Sequence, residues 1–366
     1  MTHLRLVASA EVPAAVKAVL EGTTGPFAPL PDSPSEAARW LEVLQPDVGV
    51  EESDAAVVVP TSGSTGNPRA VVLSRSALIA AALASHDRLG GPGAWVCSLA
   101  QHYVAGLMVH VRAYVAGVPA VFVDQHLTGL TDVKLPDTPA YISLVPTQLY
   151  RALRQPDVRS ALRRYTVLLG GAAADRAELD RAMESGIRVV TTYGMSETCG
   201  GVVYDGSPLA GVHVGLDDDG RISLNGPTTF SGYRLDPDAT ARVLDGRTFL
   251  TSDRGAWVGD RLEVRGRMDD VVISGGVNVD IAQLQQIVDR ALGVEKVVVL
   301  GVPDPRWGAR IVAVTTSDLS LDSLSHLLDG RVDRAALPRD LQHLDAFPRT
   351  SSGKIDRRTI ASSWEA

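Results

Sequence analysis

Short β-branched runs alternate with helical segments over the first half of this chain of 366 residues. Apolar runs of strand length occupy residues 55–59, 118–123, 141–145, 165–169 and 187–191. Helical patterns lie at residues 76–88, at 147–153 and from Asp175 onward. Strands that alternate with helices in this way are typical of layered α/β sheets. The alternation therefore predicts a large N-terminal α/β domain.

The pattern changes at about residue 205, where turn signals follow one another at short spacing. Glycine-containing turn sequences occur at residues 215–220, 232–233, 245–246 and 259–260. Such spacing predicts a β-rich subdomain that closes the first domain. A compact α+β pattern follows, with strands predicted at 270–273, 297–302 and 311–316 and helices at 280–292 and 321–328. We expect an N-terminal domain at residues 1–267 and a small C-terminal domain at residues 268–366.

Composition argues against several classes of function. The 43 acidic and 35 basic residues give a formal net charge of −8, which offers no general attraction for nucleic acid or anionic lipid. Cys97 and Cys199 stand in no metal-ligand spacing, so neither a disulfide framework nor a cysteine-based zinc site is supported. Residues 107–123 form the most apolar longer stretch, but a histidine, an arginine, a glycine and a proline interrupt it. We expect a cytoplasmic protein without membrane insertion or a nucleic-acid partner.

A loop of hydroxyls and glycines follows the first of these strands. Residues 61–70 read Thr-Ser-Gly-Ser-Thr-Gly-Asn-Pro-Arg-Ala. Glycines let backbone N–H groups approach phosphate oxygens closely, and hydroxyls add further donors, so the loop suits a polyphosphate. It is not a Walker A loop, because Pro68 stands five residues after Gly63, where that motif requires glycine and then lysine. A surface turn is the alternative for an isolated stretch of this composition.

This loop resembles the phosphate loop of the adenylate-forming superfamily, which includes acyl-CoA synthetases, luciferases and the adenylation domains of peptide synthetases. The resemblance implies layered α/β sheets with a β-rich subdomain, followed by a small mobile α+β C-terminal domain. In most members the loop ends in Pro-Lys-Gly, whereas here Arg69 and Ala70 follow the proline. Arginine keeps the charge but presents a planar fork instead of a compact ammonium. The nucleotide-binding residues implied here are Thr61, Ser62, Gly63, Ser64, Thr65, Gly66 and Arg69.

Further segments resemble motifs of this family in the same order and span nearly the whole chain. Residues 101–106 resemble the segment that borders the acyl pocket, which implies acid-binding roles for His102 and Gly106. A core or helix-capping histidine is the alternative. Residues 168–173 resemble the glycine-rich turn that lies along adenine, although an ordinary strand-to-helix connection has the same composition. The adenine contacts implied by this turn are Gly171, Ala172 and Ala173.

Residues 192–198 read Thr-Tyr-Gly-Met-Ser-Glu-Thr and resemble the most diagnostic motif after the phosphate loop. By this resemblance Tyr193 packs on adenine, Glu197 holds Mg²⁺ and Thr198 contacts the α-phosphate. Gly194 belongs to the same nucleotide-binding set. Mg²⁺ prefers hard oxygen ligands and bridges phosphates through only one or two protein carboxylates, which is a physical reason for a glutamate here. A solvated turn residue is the alternative, and a hydrolase nucleophile elbow is rejected because Thr198 replaces the glycine it needs.

Two more segments resemble those that hold ribose and the reacting carboxylate. Residues 251–255 resemble the ribose-binding segment, in which Asp253 accepts hydrogen bonds from both ribose hydroxyls. A carboxylate has the two oxygens that such a contact requires, although a β-turn aspartate is the alternative. Residues 347–357 resemble the C-terminal lysine motif. This implies that Lys354 bridges the substrate carboxylate and the α-phosphate.

Residues 266–276 resemble the hinge motif of the family. The resemblance implies that Arg267 reaches the ribose or a phosphate. It implies that Asp269 is the hinge residue whose torsions change as the small domain turns. Gly275 and Gly276 are then expected where the pantetheine of coenzyme A passes close to the backbone.

Together these motifs imply a ligase that uses ATP, Mg²⁺ and coenzyme A to convert a carboxylic acid to an acyl-adenylate and then to a thioester. The phosphate loop begins at residue 61, so we expect an N-terminal domain that is reduced at its N-terminus. This compact layout is most similar to the short o-succinylbenzoate:CoA ligases of menaquinone biosynthesis in actinobacteria. The alternatives are a ligase for another small aryl or short-chain acid, an adenylation enzyme for a carrier protein, and a catalytically silent nucleotide-binding relative. The sequence does not decide between a monomer and a homodimer.

Overall fold

The computed structural model describes residues 2–61, 69–349 and 355–364. The helices are α1 Val12–Leu20, α2 Pro34–Leu44, α3 Arg75–Leu89, α4 Val104–Ala116, α5 Pro146–Leu153, α6 Pro156–Leu162, α7 Arg176–Glu184, α8 Pro237–Val243, α9 Ile281–Leu292, α10 Leu321–Leu328 and α11 Arg357–Ser362. The strands up to residue 204 are β1 Arg5–Val7, β2 Phe27–Pro29, β3 Ala55–Thr61, β4 Arg69–Ser74, β5 Ala94–Cys97, β6 Val121–Phe122, β7 Ala140–Leu144, β8 Thr166–Leu169, β9 Arg188–Met195 and β10 Gly200–Tyr204. The later strands are β11 Ser207–Pro208, β12 His213–Leu216, β13 Arg221–Asn225, β14 Gly232–Tyr233, β15 Leu244–Asp245, β16 Thr248–Val258, β17 Arg261–Arg267, β18 Val271–Ser274, β19 Val277–Asp280, β20 Val297–Asp304, β21 Gly308–Thr315 and β22 Leu341–His343.

The chain divides into two compact units. The first consists of Met1–Gly215, Ser223–Thr251 and Trp257–Leu262. The second consists of Leu216–Ile222, Ser252–Ala256 and Glu263–Ala366. Among the described residues, every helix is too short or too polar to cross a lipid bilayer.

One sheet of the first unit has the strand order β1-β2-β3-β4-β14. Strands β1, β2 and β3 are parallel, and β3 pairs with β4 in antiparallel fashion. Side chains of α1, α3 and α4 pack in a core with one set of strand residues, and α2 packs with the other set. Residues 55–60 are therefore all buried, as expected for a strand that is covered on both faces.

The second sheet has the order β11-β10-β9-β8-β7-β5-β6. Its five strands β5 to β9 are parallel. The predicted strands at 141–145, 165–169 and 187–191 are all present in it. Strand β6 contains only Val121–Phe122, so the prediction of a strand over 118–123 was too long. Pro119 lacks the N–H that a ladder needs, which explains the late start. As predicted, α7 follows Asp175, whose carboxylate accepts hydrogen bonds from the backbone N–H groups of residues 177 and 178.

The remaining strands form two smaller sheets. One has the order β12-β13-β16-β15, with β17 paired to β16, and it occupies the predicted β-rich stretch. The other belongs to the second unit and has the order β19-β18-β21-β20, with β22 parallel to β21. Apolar residues of α9 and α10 pack with this sheet in one core, and those of α11 pack in another. The predicted fold class, α/β sheets with a β-rich part and a small α+β C-terminal part, is confirmed.

Candidate active site

A tight turn at the carboxyl end of β9 carries the predicted metal-binding glutamate. Residues Ser196–Thr198 form one 3-10 turn, and Cys199 follows with a positive φ of 55°. The Thr198 hydroxyl is buried and donates to the backbone oxygens of Met195, at 3.2 Å, and Gly200, at 2.8 Å. It also accepts from the Met195 N–H at 3.0 Å. In this structure Thr198 therefore shapes the turn, and its contact with a phosphate stays a prediction.

Gly194 lets this turn fold back closely on its own strand. A Cβ at this position would lie 2.0 Å from the carbonyl oxygen of Gly200, a distance that real Cβ atoms do not show. Glycine is therefore required here for packing. Tyr193, its neighbour in β9, is half-buried.

The Glu197 carboxylate is half-buried and is held by the segment that contains β14. The Tyr233 hydroxyl donates to Glu197 Oε1 at 2.9 Å, and the Phe230 N–H donates to the Glu197 carbonyl at 2.8 Å. Tyr233 is itself 7% exposed. Both the backbone and the side chain of Glu197 are thus held by the segment 230–233, which lies more than thirty positions later in the chain.

Thr61 and Arg69 flank the predicted phosphate loop. They face each other across the β3–β4 pair, and the Thr61 hydroxyl donates to the Arg69 carbonyl at 3.3 Å. The Arg69 guanidinium carbon lies 5.0 Å from the centroid of the Tyr233 ring. Ser62, Gly63, Ser64, Thr65 and Gly66, which we predicted to bind phosphates, lie outside the described residues, as does Lys354.

The predicted adenine turn follows β8, which is the parallel neighbour of β9. Leu169 pairs with Thr191, so the two strands end at the same edge of the sheet. Gly171 has a positive φ of 83°, and the backbone after it is exposed at Ala172 and Ala173. Ligands of open α/β sheets bind at the carboxyl ends of the strands. The structure therefore brings the turn at 170–173 and the turn at 196–198 to the same edge of the sheet, the edge at which such folds commonly bind ligands.

His102 lies in the loop after β5, at the same edge of the sheet. It is 8% exposed, and its ring lies 5.3 Å from the Trp40 ring and 4.4 Å from the Tyr103 ring. Burial lowers the pKa of His102, and the charges of Glu36 and Asp32 act in the opposite direction. The imidazole is therefore neutral at physiological pH.

Three polar atoms of this segment are buried without a hydrogen-bond partner among the described residues. They are both ring nitrogens of His102 and the Oε1 atom of Gln101. Buried polar groups in native proteins almost always have partners, so these atoms fit a site that receives a polar ligand. Gly106 has a packing role, because a Cβ there would lie 2.3 Å from the carbonyl oxygen of Ala100.

In the second unit the predicted ribose and hinge residues are linked by one arginine. The Arg267 guanidinium lies 3.3 Å from Asp253 Oδ1 and 2.7 Å from Asp269 Oδ2. Asp253 is 9% exposed. The next residue, Arg254, forms an ion pair with Asp280 at the start of α9. A cluster of paired charges thus surrounds the predicted hinge.

Gly275 and Gly276 form the turn between β18 and β19. Both have positive φ values, 59° and 82°, which favour glycine. A Cβ at Gly275 would lie 3.0 Å from the Trp307 ring, whereas one at Gly276 would meet no atom within 4 Å among the described residues. The Trp307 ring also has the Arg339 guanidinium carbon 3.8 Å from its centroid. The turn therefore offers open backbone on one side, as a passing pantetheine would need.

Our sequence reasoning missed Tyr233 and Arg234 as site residues. It interpreted residues 232–233 only as a turn signal. Arg234 is 6% exposed and donates to backbone carbonyls at the end of α2 and just beyond it, which belong to Leu44, Gln45, Val48 and Gly49. The only local signal was a Gly-Tyr-Arg sequence, and its partners lie far away in the chain.

The donor set at this edge fits Mg²⁺ in the way that nucleotide enzymes usually hold it. Glu197 provides hard carboxylate oxygens and stands at the end of a strand. Among the described residues, no cluster of three or more metal-ligating side chains is present. Such enzymes need only one or two carboxylates, because substrate phosphates and water complete the octahedron.

Sheet, turns and charges together define a nucleotide-binding enzyme, and the sequence matches a known family over most of its length. Residues 3–248 match the AMP-binding enzyme family, and residues 283–354 match the AMP-binding enzyme C-terminal domain. The chain belongs to the AMP-binding enzyme family. The family resemblance noted in the sequence is thereby confirmed.

Curated relatives carry a more specific name. The chain is 41% identical over 332 residues to a probable 2-succinylbenzoate–CoA ligase of Mycobacterium tuberculosis, and the match covers 84% of each chain. It is 31% identical over 360 residues to a 2-succinylbenzoate–CoA ligase of Listeria monocytogenes, covering 91% of this chain and 74% of the relative.

Solved structures share the fold. ATP-bound MatB from Rhodopseudomonas palustris superposes with a TM-score of 0.83 at 19% identity and covers 100% of this chain and 89% of its own. The o-succinylbenzoate CoA synthetase MenE from Bacillus subtilis, in complex with its acyl-adenylate intermediate, gives a TM-score of 0.77 at 22% identity. That match covers 98% of this chain and 87% of MenE.

Proposed function

We propose that this chain is an ATP-dependent acid:CoA ligase that converts o-succinylbenzoate, also called 2-succinylbenzoate, to its coenzyme A thioester. The observation that carries the chemistry is that the turn at 170–173 and the turn with Glu197 follow β8 and β9, two neighbouring parallel strands, at their carboxyl ends. The choice of acid is supported by the Mycobacterium tuberculosis relative. The proposal gives the chain a cytoplasmic role in menaquinone biosynthesis.

The first step joins two anions. A carboxylate oxygen of the acid attacks the α-phosphorus of ATP, and the bond between that phosphorus and the pyrophosphate oxygen breaks. Catalysis must neutralise charge and align the reacting groups. Mg²⁺ supplies part of this neutralisation when it is bound, and we assign Glu197 to hold it. We assign Lys354 to the reacting carboxylate and α-phosphate, and the hydroxyls and backbone of residues 61–66 to the outer phosphates.

The second step replaces AMP by a thiol. The thiolate sulfur of coenzyme A attacks the acyl carbon, and the bond to the AMP oxygen breaks. We infer that residues 1–267 and 268–366 are the two moving domains and that Asp269 is the hinge between them. Turning about this hinge would withdraw Lys354 and bring the Gly275–Gly276 turn to the thiol.

The acid is assigned to the segment that contains Gln101 and His102. The buried, unpartnered atoms of Gln101 and His102 support this assignment, because pairing such groups recovers roughly 1–3 kcal/mol each. A neutral imidazole can donate one N–H to a carboxylate or carbonyl oxygen of the acid. The rings of Trp40 and Tyr103 restrict the orientation of that imidazole.

A pyrophosphate-release assay with a panel of acids tests the proposal. We expect release with o-succinylbenzoate, and thioester formation, detected by mass, only when coenzyme A is added. Glu197→Gln should lose roughly a hundredfold in release rate, whereas the exposed control Asp218→Asn should match the wild type.

Three other results would contradict it in different ways. Preference for a different aryl or short-chain acid would exclude the substrate. Thioester formation only on a carrier protein's phosphopantetheine would exclude the coenzyme A step. Nucleotide binding without release for any acid would identify a catalytically silent relative.

A further inference from the structure

Strand β14 connects the end of the phosphate loop to the Glu197 turn. Its Tyr233 pairs with Val71 of β4, which begins at Arg69. The backbone N–H groups of Ser231 and Arg234 donate to carbonyls of the same strand, at 2.9 and 2.8 Å. The position of the Tyr233 backbone is therefore fixed relative to β4.

The Tyr233 side chain then contacts both charged residues. Its hydroxyl donates to Glu197 Oε1 at 2.9 Å, and the Arg69 guanidinium carbon lies 5.0 Å from the ring centroid. The ring packs edge-on against Phe230, with centroids 5.0 Å apart, which leaves little freedom of rotation. The Tyr233 side chain thus contacts both the Glu197 carboxylate and the Arg69 guanidinium in a partly buried environment.

The phenol is the donor to this carboxylate, because Glu197 Oε1 can only accept when it is ionised and lies 2.9 Å from the Tyr233 hydroxyl. Mg²⁺ requires nearly ideal octahedral geometry, so the orientation of a ligating carboxylate matters. Partners that orient metal ligands are commonly worth 10–100-fold in metal affinity.

We propose that Tyr233 is the positioning residue of the Glu197 carboxylate, and that Arg69 acts on this carboxylate through Tyr233 instead of binding the nucleotide phosphates. The inference rests on the proposed function, in which Glu197 holds Mg²⁺. It replaces the expectation from resemblance that Arg69 belongs to the phosphate-binding set. If Tyr233 had only a structural role, its ring would fulfil that role. Tyr233→Phe keeps the ring and removes only the hydroxyl, so this variant separates the two roles.

Calorimetric titration of the purified full chain with ATP tests this, once with Mg²⁺ and once in EDTA, without any acid substrate. Tyr233→Phe should weaken binding about tenfold with Mg²⁺ and leave binding in EDTA unchanged. Arg69→Met should do the same to a smaller extent. The double variant should be no weaker than Tyr233→Phe, because both changes act on one carboxylate. Tyr150→Phe and Arg242→Met, at exposed positions, are the matched controls.

The alternatives give different results. A direct contact of Arg69 with phosphate predicts weaker binding in EDTA for Arg69→Met and multiplied losses in the double variant, which would overturn the inference for Arg69. Unchanged binding of Tyr233→Phe with Mg²⁺ would overturn it for Tyr233. Wild type that binds ATP equally with and without Mg²⁺ would instead refute the proposed metal site at Glu197. If Tyr233→Phe lacks the folded circular dichroism signal, Arg69→Met, which keeps the phenol, decides the question alone.

Discussion

The Arg267 guanidinium bridges two carboxylates: that of Asp253, at 3.3 Å, and that of the residue two positions after Arg267 itself, at 2.7 Å. The second of these carboxylates belongs to Asp269, so one cation connects the predicted ribose site to the predicted hinge. A guanidinium can serve two carboxylates through its planar fork, which a lysine ammonium cannot do with the same directionality. A ligand that hydrogen-bonds to Asp253 would therefore lie beside the predicted hinge.

Asp253 should determine the preference for a ribose over a deoxyribose. The wild type should bind 2′-deoxy-ATP about tenfold more weakly than ATP, because one hydrogen bond to a charged group is lost. Asp253→Ala should bind both nucleotides with the same affinity, while Asp218→Ala, an exposed aspartate of the same unit, should keep the difference. Calorimetry measures all four affinities. Persistent discrimination in Asp253→Ala would exclude the ribose contact.

The two cysteine thiols should be inert in the folded protein. Burial raises the pKa of Cys97 to about 11 and that of Cys199 to about 12, and both side chains have 0% exposure. At pH 8 about one Cys97 thiol in a thousand and about one Cys199 thiol in ten thousand would be ionised, and the thiolate is the reactive form. Ellman's reagent should therefore label neither thiol in native protein and both in guanidinium chloride. Fast native labelling would contradict this burial.

Stability should fall with acidification through two buried histidines. Burial lowers the pKa of His86 to about 4, helped by the charge of Arg112, and burial alone lowers that of His110 to about 4. Their unfolded value is about 6.5, so this contribution is complete above pH 6.5 and is lost as the pH falls toward 4. Each histidine accounts for at most about 1.4 kcal/mol per pH unit.

Urea unfolding at several pH values between 7 and 4 measures this slope. In His110→Leu the slope of the unfolding free energy against pH should decrease by the equivalent of about one bound proton. His213→Gln, at an exposed position, should leave the slope unchanged. An identical slope in wild type and His110→Leu would mean that other groups, such as carboxylates, control the acid stability.

Arg234 should contribute more to the free energy of unfolding of the first unit than an exposed arginine does. Arg234→Met leaves several carbonyls of residues 44–49 without their donor, so we expect a loss of roughly 3 kcal/mol in unfolding free energy. Arg242→Met, an exposed change on α8, should stay within about 0.5 kcal/mol. Urea midpoints measure both. Equal midpoints would mean that water replaces the guanidinium at no net loss.

Local patterns predicted the elements whose signals are contiguous in sequence. The helix after Asp175 and the helix at 281–292 begin at aspartates that accept backbone N–H bonds, which is a signal within four residues. The strands of the parallel sheet are short apolar runs, and their carboxyl ends carry the motifs of the candidate site. The strands follow from periodicity and connection rules, whereas the motifs at their ends were identified by resemblance to the family.

Tyr233 and Arg234 could not be predicted in this way. Their partners are Glu197, 36 positions earlier, and the end of α2, up to 190 positions earlier. A two-residue strand has too few side chains for a periodic signal, and an arginine after a turn is usually solvated. Only the pairing of β14 with β4 explains why both side chains point into the protein.

The 190-residue separation between Arg234 and Leu44 has a consequence for synthesis of the chain. On the ribosome, β1 to β4 emerge long before β14, the strand that completes their sheet. During that time the carbonyls at the end of α2 lack the hydrogen bonds that Arg234 donates in the folded protein. Contacts of such long sequence separation form late because loop closure must come first. A nascent chain that stalls before residue 234 leaves the exit tunnel should thus expose an open sheet edge, which is where a chaperone that recognises unpaired strands would bind.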